Sequence, residues 1–319
     1  MDDRGLPEED TVATALALAL RAPSRGNMQP WRWRIAPGSV HLYLDRTRSL
    51  SVGDRRDVLL GCGAALHHLS VAFAALGWAT IVHRMPSPDN PDHLATVAAV
   101  ARRPTGQDIA MSAAITRRRS DRRRYSDWAV PPGYLGLLAE RAAALGALIR
   151  PLHDRIAERS TVGTRSATRG WADDSPASGS RGPYDLDDAT AYRTQETWAD
   201  FASERALTTA DWADATEGPD HADLLLLATS DDDPLAQLRA GEAMSAVLLT
   251  ATNIGLATCP LSAPLDSADR RLQLRRDILD NSAHPQVILR VGQAPDTTEP
   301  PPITPRRSLA EVLLSPVHA

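Results

Sequence analysis

The sequence predicts a mixed α/β (α+β) fold that consists of two tandem repeats. Two long apolar helices align at one fixed offset, so that residues 63–66 overlie residues 241–244 and Gly77 overlies Gly255. The flanking elements are also repeated, because an apolar strand precedes each helix and another follows it. We therefore expect two layered units, in each of which helices cover a sheet.

The first repeat is predicted to span residues 1–110. Acidic residues at positions 8–10 suit the first turn of a helix, which Pro23 ends, and Pro37-Gly38 predicts a turn between two strands. The predicted elements are a helix over 7–20, strands over 31–35 and 40–44, a buried helix over 57–76, and strands over 79–85 and 94–101.

The second repeat is predicted to span residues 111–319. Its elements are helices over 131–145 and 235–254, strands over 147–152, 223–228 and 286–291, and a short helix over 308–314. An insertion of helical character, over about 154–220, separates the first two strands. Its long loop at 173–183 is rich in Ser, Gly and Pro, which is consistent with either a solvated surface excursion or a lid.

Composition limits the partners that the protein can have. The formal net charge of −5 does not favour binding to nucleic acid or to an anionic membrane. Residues 58–78 are long enough to span a bilayer, but glycine, histidine and serine interrupt them, and we expect a buried helix instead. Cys62 and Cys259 cannot form a disulfide framework and suit a reducing cytoplasm. The chain contains no lysine, which excludes Schiff-base and Walker A chemistry.

Two stretches carry the polar chemistry of the chain. The loop at 22–31 places hydrogen-bonding side chains between a helix and a strand, as a loop that holds a planar polar ligand would. The arginine run at 117–124 surrounds Ser120 and Asp121. It fits a solvated charge run, a nucleic-acid patch or a phosphate site in which a helix start completes the cradle. The pair Arg306-Arg307 is either surface or part of the same phosphate site.

Other catalytic motifs are weak or missing in the sequence. Gly61-Cys62-Gly63 lacks the third glycine and the leading strand of a dinucleotide fingerprint. His67 and His68 are adjacent on a helix and face different directions, which does not suit metal ligation. No Gly-x-Ser-x-Gly elbow is present to supply a hydrolase nucleophile.

Three motifs, in order along the chain, resemble those of nitroreductase-fold FMN flavoproteins. The first, Pro23-Ser24-x-x-Asn27-x-Gln29-Pro30-Trp31, is similar to the motif that borders the isoalloxazine ring of the flavin. The second, Arg118-Arg119-Ser120-x-Arg122, resembles the phosphate-binding motif. The third, residues 253–262, looks like the segment that runs to the reactive edge of the flavin. The chain length and the position of Tyr125 are most similar to the fused Acg branch of the family, which is associated with hypoxic and dormancy responses in mycobacteria.

The resemblance implies a nitroreductase-like fold and an intramolecular pseudo-dimer. Ordinary nitroreductases are homodimers with two interfacial FMN sites, whereas each motif occurs once here, so we expect one FMN per chain in a monomer or weak homo-oligomer. The residues that the resemblance assigns to FMN are Pro23, Ser24, Asn27, Gln29, Arg118, Arg119, Ser120, Arg122, Pro260, Leu261, Ser262 and Arg306. No side chain is assigned a catalytic role.

The implied activity is the transfer of a hydride from NAD(P)H to FMN and then of electrons to a nitro or quinone-type small molecule. A second hypothesis is an FMN storage or sequestering protein, in which the loop at 173–183 covers the ring. A third is an arginine-rich interaction protein without flavin, which the negative net charge disfavours.

Overall fold

The computed structural model describes residues 7–48, 55–152, 220–295, 301 and 303–314. The predicted insertion, including the loop at 173–183, lies outside these residues apart from its last position.

The first half contains two helices and four strands close to the predicted bounds. They are α1 (Glu9–Ala19), β1 (Trp31–Ala36), β2 (Ser39–Leu44), α2 (Arg55–Ala75), β3 (Trp78–Arg84) and β4 (His93–Ala101). Strands β1 and β2 pair with Ala36 opposite Ser39, which leaves Pro37-Gly38 as the two-residue turn that the sequence predicts.

A helix that the sequence analysis missed, α3 (Gly106–Arg117), connects the two halves and spans the boundary predicted at residue 110. It begins at a capping box, in which the Thr105 hydroxyl accepts a hydrogen bond from the backbone N–H of Asp108 and the Asp108 carboxylate accepts one from the backbone N–H of Thr105. This local pattern is a sequence signal for a helix start, so α3 could have been predicted.

In its described residues, the second half repeats the arrangement and adds two short helices. Its elements are α4 (Pro132–Ala143), β5 (Ala147–Pro151), β6 (Asp223–Thr229), α5 (Pro234–Asn253), β7 (Ala257–Leu261), α6 (Ala268–Asp277), β8 (His284–Gly292) and α7 (Leu309–Val312). Helix α6 was not predicted, because it is rich in charge and Leu274 is its only buried residue.

The two sheets share one topology. The first has the order β1-β2-β4-β3 and the second has the order β5-β6-β8-β7, and every strand pair in them is antiparallel. Strand β6 is buried on both faces, as predicted. Leu225 and Leu227 face the main core, while Leu224 and Leu226 face a second cluster beneath α6. The second sheet is therefore covered on both sides.

Helices α2 and α5 pack together at the equivalent positions of the two repeats. A Cβ added at Gly63 would lie 2.0 Å from the carbonyl oxygen of Leu238, and one added at Gly241 would lie 2.1 Å from that of Leu60. The offset that relates Gly63 to Gly241 also relates Leu60 to Leu238. The contact is thus self-complementary within one chain, as the interface of a twofold dimer is between two chains.

Polar contacts also link α2 to the second half. The imidazole Nδ1 atoms of His67 and His68 lie 2.8 Å and 2.9 Å from the Ser245 hydroxyl. Burial lowers the pKa of His67 to about 4, so the ring is neutral at physiological pH. Within the described ranges, no group of three or more His, Cys, Asp and Glu side chains could hold a metal. The two rings meet at one hydroxyl, although their adjacent positions on the helix were expected to face different directions.

Helix α2 is long and apolar enough to cross a membrane by length and composition alone. It is nevertheless mostly buried inside the protein, where it packs against α1, α3 and α5. This arrangement confirms the predicted buried core helix. Cys62 on this helix and Cys259 on β7 are both buried and free of any disulfide.

We predict that Gly63→Ala strongly destabilises the protein, because the added methyl group would overlap the backbone of α5. Overpacking of this kind costs about 1–3 kcal/mol or more in free energy of unfolding. Urea denaturation measures the change. The matched control is Gly136→Ala in α4, where an added Cβ meets nothing within 4 Å and alanine favours the helix. Equal stability of the two variants would contradict the close packing of α2 and α5.

Candidate functional site

A cavity between the two halves collects the polar stretches that the sequence analysis selected. Ten of the twelve predicted residues line it, and the two that do not are Gln29 and Leu261. The lining residues of the predicted set are Pro23, Ser24, Asn27, Arg118, Arg119, Ser120, Arg122, Pro260, Ser262 and Arg306. The walls therefore come from both repeats and from the C-terminal segment.

The loop after α1 forms one wall of the cavity and is tightly constrained. A short 3₁₀ turn spans Arg25–Asn27, and Gly26, Asn27 and Gln29 all have φ near +50°. Such angles are uncommon for residues with a side chain and persist only where surrounding contacts hold them. One such contact is the backbone N–H of Gln29, which donates to the Ser24 hydroxyl at 2.8 Å.

Gln29 faces away from the cavity, although the resemblance placed it beside the ring. Its side chain is buried, and its amide Oε1 accepts a hydrogen bond from the backbone N–H of Arg307 at 2.8 Å. Its Nε2 donates to the carbonyl of Asn27 at 3.2 Å and is 3.5 Å from that of Pro305. The amide thus connects the loop to the C-terminal segment.

The arginine loop at 118–122 forms the opposite wall and is anchored to β7. Ser120 and Thr258 form a parallel bridge, and the backbone N–H of Asp121 donates to the carbonyl of Thr258 at 2.8 Å. The buried Tyr125 hydroxyl donates to the carbonyl of Asp121 at 2.8 Å. This contact accounts for the aromatic residue that follows the motif in the sequence.

The helix start that we expected to complete the cradle is not adjacent to the arginine motif. The loop instead follows the C-terminus of α3, and α4 begins only at Pro132. At the end of α3 the carbonyl of Thr116 accepts hydrogen bonds from the guanidinium groups of Arg119 and Arg21, at 2.8 Å and 3.3 Å. Positive charge in this wall therefore comes from side chains and not from a helix dipole.

Four arginines concentrate positive charge at this wall: Arg21, Arg118, Arg119 and Arg306. In the part of the chain that the structure describes, their guanidinium groups bind only backbone carbonyls and neutral side-chain oxygens, and none forms an ion pair with a carboxylate. Clustered cations of this kind repel one another.

Arg118 and Arg306 show the cost of this arrangement. Arg118 is 4% exposed, and its Nε and Nη1 atoms are buried without a hydrogen-bond partner, as is Nε of Arg306. Burial and, to a lesser extent, the charges of Arg306, Arg119 and Arg21 together lower the pKa of Arg118 to about 9. Burial and the charges of Arg21 and Arg119 together lower the pKa of Arg306 to about 10. An anion in the cavity would offset both the burial and the repulsion.

Several lining residues were not found from the sequence. The apolar ones, Leu60, Ile115, Met244 and Val287, lie inside helices and strands where they look like ordinary core. They give the cavity apolar walls beside the charged one. No local sequence signal distinguishes them, because the cavity exists only where the two repeats meet.

An ion-pair network was also missed. The Arg25 guanidinium binds Asp57 at 2.6 Å and Asp266 at 2.7 Å, which links the loop after α1 to the start of α2 and to the second repeat. Asp57 lines the cavity, and burial raises its pKa despite the opposing charges of Arg25 and Arg56. This network fixes the position of the loop relative to both repeats.

The fold and the cavity define a two-repeat α+β protein with an arginine-lined cavity between its two halves. No family model matches the sequence. A Mycobacterium tuberculosis (strain ATCC 25618 / H37Rv) protein named "Putative NAD(P)H nitroreductase Rv3131" is 39% identical over 323 residues, which cover 96% of this chain and 92% of that protein. From the same strain, "Putative NAD(P)H nitroreductase acg" is 33% identical over 317 residues, or 95% of each chain.

Solved structures with a similar fold include the FMN-dependent nitroreductase NfnB from Mycobacterium smegmatis in complex with NADPH. It is 19% identical, covers 63% of this chain and 96% of its own, and gives a TM-score of 0.40. The two relatives from M. tuberculosis match nearly the whole length of the chain. The protein belongs to the nitroreductase family, in the branch that contains Acg.

We predict that Arg118→Met stabilises the ligand-free protein, because methionine fills the site without a buried charge. Replacing poorly compensated buried charge by an apolar side chain can raise the free energy of unfolding by about 1–3 kcal/mol. Inorganic phosphate should raise the melting temperature of the wild type more than that of the variant.

The matched control is Arg103→Met, which removes an exposed arginine outside the cavity. Phosphate also stabilises proteins by exclusion from their surfaces, and this effect would be the same in all three proteins. An equal phosphate response in the wild type and in Arg118→Met would contradict an anion site at Arg118.

Proposed function

We propose that the protein binds one FMN per chain in the cavity between the repeats and works as an NAD(P)H-dependent oxidoreductase. The observation that carries this proposal is the positive charge of the buried Arg118 and the half-buried Arg306, which no carboxylate of the described residues pairs, beside apolar cavity walls. An amphiphilic ligand with a phosphate at one end and a flat ring at the other matches both parts. The names of the M. tuberculosis relatives, putative NAD(P)H nitroreductases, support the proposed activity.

The phosphate end of FMN would be held by the arginine wall. Arg118 and Arg306 carry the donors that lack partners, Arg119 and Arg122 add charge, and Ser120 offers a hydroxyl. Guanidinium groups suit this role, because their planar forks match phosphate oxygens. The dianion would neutralise part of the excess charge and thereby recover the cost of burying it.

The ring would lie in the apolar part of the cavity. Pro23 and Leu60 from the first repeat would face Met244 and Pro260 from the second, while Ser24, Asn27 and Ser262 offer polar atoms at the edges. We do not place Gln29 or Leu261 against the ring, because neither lines the cavity. In this arrangement the ring contacts both repeats. We propose a boundary near residue 110 between these repeats.

FMN, when bound, supplies hydride and electron transfer between NAD(P)H and a small acceptor such as a nitro or quinone compound. The contribution of the chain is to bind and orient the ring, to exclude water with its apolar walls, and to hold the phosphate. Asp57 is a buried carboxyl with a raised pKa at the cavity, but we assign it no proton transfer.

The second candidate function is FMN storage without turnover, with a lid over the ring. The segment that would form the lid, at 173–183, lies outside the described residues. Storage and turnover would both use the same FMN site. They differ only in whether NAD(P)H reaches the ring. The hypoxic or dormancy role implied by the family remains part of the proposal.

We predict that the purified protein is yellow and that Arg118→Ala and Arg306→Ala each weaken FMN binding. A charge-assisted contact contributes about 1.5–3 kcal/mol, so each dissociation constant should rise about 10- to 150-fold. Fluorescence titration of the ligand-free protein with FMN measures the dissociation constant. The control is Arg103→Ala, which removes an arginine from the exposed surface. A colourless protein that cannot take up FMN would contradict the proposal.

We predict that NAD(P)H bleaches the flavin absorbance and that menadione or a nitroaromatic compound restores it with steady turnover. An accessible ring is required for this reaction, because hydride transfer needs direct contact with the nicotinamide. Bleaching by dithionite but not by NAD(P)H would instead support storage. Stopped-flow absorbance distinguishes the two outcomes.

A further inference from the structure

Gln29 has a role different from the ring contact that its motif implies. We propose that Gln29 is a positioning residue for Arg306, and that it acts on the phosphate end of the site through the C-terminal segment at 303–307. This inference rests on the proposed FMN function for its ligand, but its first step, the docking of the segment by Gln29, is independent of any ligand.

The buried amide of Gln29 is fully engaged with neighbours on the protein side. Its Oε1 accepts from the N–H of Arg307 at 2.8 Å, and its Nε2 lies 3.2 Å from the carbonyl of Asn27 and 3.5 Å from that of Pro305. In the sequence, Arg306 lies between Pro305 and Arg307, both of which contact the Gln29 amide. The Asn27 side chain makes the shorter contact with the Pro305 carbonyl, to which its Nδ2 donates at 2.9 Å. Gln29 therefore holds the backbone N–H that follows Arg306 and shares the carbonyl that precedes it with Asn27.

A second set of contacts fixes the same segment from the other side. The Arg307 guanidinium donates to the carbonyl of Gln29 at 3.2 Å and to the buried carboxylate of Asp45 at 3.1 Å. Burial alone would raise the pKa of Asp45, but hydrogen bonds from Thr47, Arg32 and Arg307 lower it, so the carboxylate is charged at neutral pH. Arg307 itself does not line the cavity.

The position of Arg306 depends on these anchors because three of the five acceptors of its guanidinium lie in the same segment, on Thr304 and Pro305, and would move with it. Among the described residues, its acceptors outside the segment are two neutral oxygens, Oδ1 of Asn27 at 3.1 Å and the carbonyl of Arg21 at 3.4 Å. Like charges on Arg21 and Arg119 oppose its burial. If the segment at 303–307 were not held in place, the Arg306 side chain would move into solvent, where its guanidinium is better hydrated. The energy that keeps it in the cavity comes from the docking of Pro305 and Arg307.

The test compares FMN with riboflavin, which has the same ring but no phosphate. In Gln29→Met, which keeps the side-chain size and removes the hydrogen bonds, we expect the dissociation constant of FMN to rise about 10-fold and that of riboflavin to change less than about twofold. Arg306→Ala should give the same pattern. The double variant should bind FMN no worse than about twofold beyond Arg306→Ala, because Gln29 acts through Arg306.

Equal losses for FMN and riboflavin would overturn the proposal and return Gln29 to the ring. Additive losses in the double variant would also overturn it. If Gln29→Met does not fold, Arg307→Ala removes the docking contacts from the segment side and should lower only the FMN affinity.

Hydrogen–deuterium exchange of the ligand-free protein tests the docking step directly. We expect faster exchange of the backbone amides at 303–314 in Gln29→Met, with unchanged exchange in the second sheet. Unchanged exchange of this segment would overturn the proposal. If the wild type bound FMN no better than riboflavin, the proposed phosphate site would fail, whereas faster exchange would still support the docking role.

Discussion

The close approach of α2 and α5 is the constraint on which the rest of the structure depends. Two equivalent glycines allow the helix backbones to touch, and any side chain at either position would force the repeats apart. This contact fixes the distance between the loop after α1 and the arginine loop after α3, which lie on opposite walls of one cavity. The cavity is therefore a consequence of how the repeats pack and is not a property of either repeat.

The packing also buries positive charge that no carboxylate among the described residues pairs. Arg118 is fixed by α3 and by the bridge between Ser120 and Thr258, and Arg306 is carried in by the C-terminal segment. Burying charge in this way is costly unless an anion is present. A binding site that destabilises the empty protein favours the occupied state, because ligand binding recovers the cost.

The two halves share a topology, and a fully symmetric protein would have a second, equivalent cavity. The two halves differ at the position where that second cavity would lie. The offset that relates Gly63 to Gly241 also relates Arg84 to Ser262 at the cavity wall. The Arg84 guanidinium is bound by both carboxylate oxygens of the buried Glu242, at 2.7 Å and 2.8 Å. Side chains thus occupy the position that corresponds to a ligand wall in the other half. This difference agrees with one FMN per chain.

The sequence by itself determined the two-repeat α+β fold, the bounds of most strands and both core helices, and ten of the residues that line the cavity. These features follow from local periodicity, turn chemistry and motifs, which neighbouring residues encode. Only the tertiary structure decided which polar side chains face the ligand and which hold the walls: Gln29 lies beside Asn27 in the motif but turns to the C-terminal segment almost 280 residues later. The apolar lining residues Leu60 and Met244 were indistinguishable from core for the same reason, because their role arises where distant parts of the chain meet.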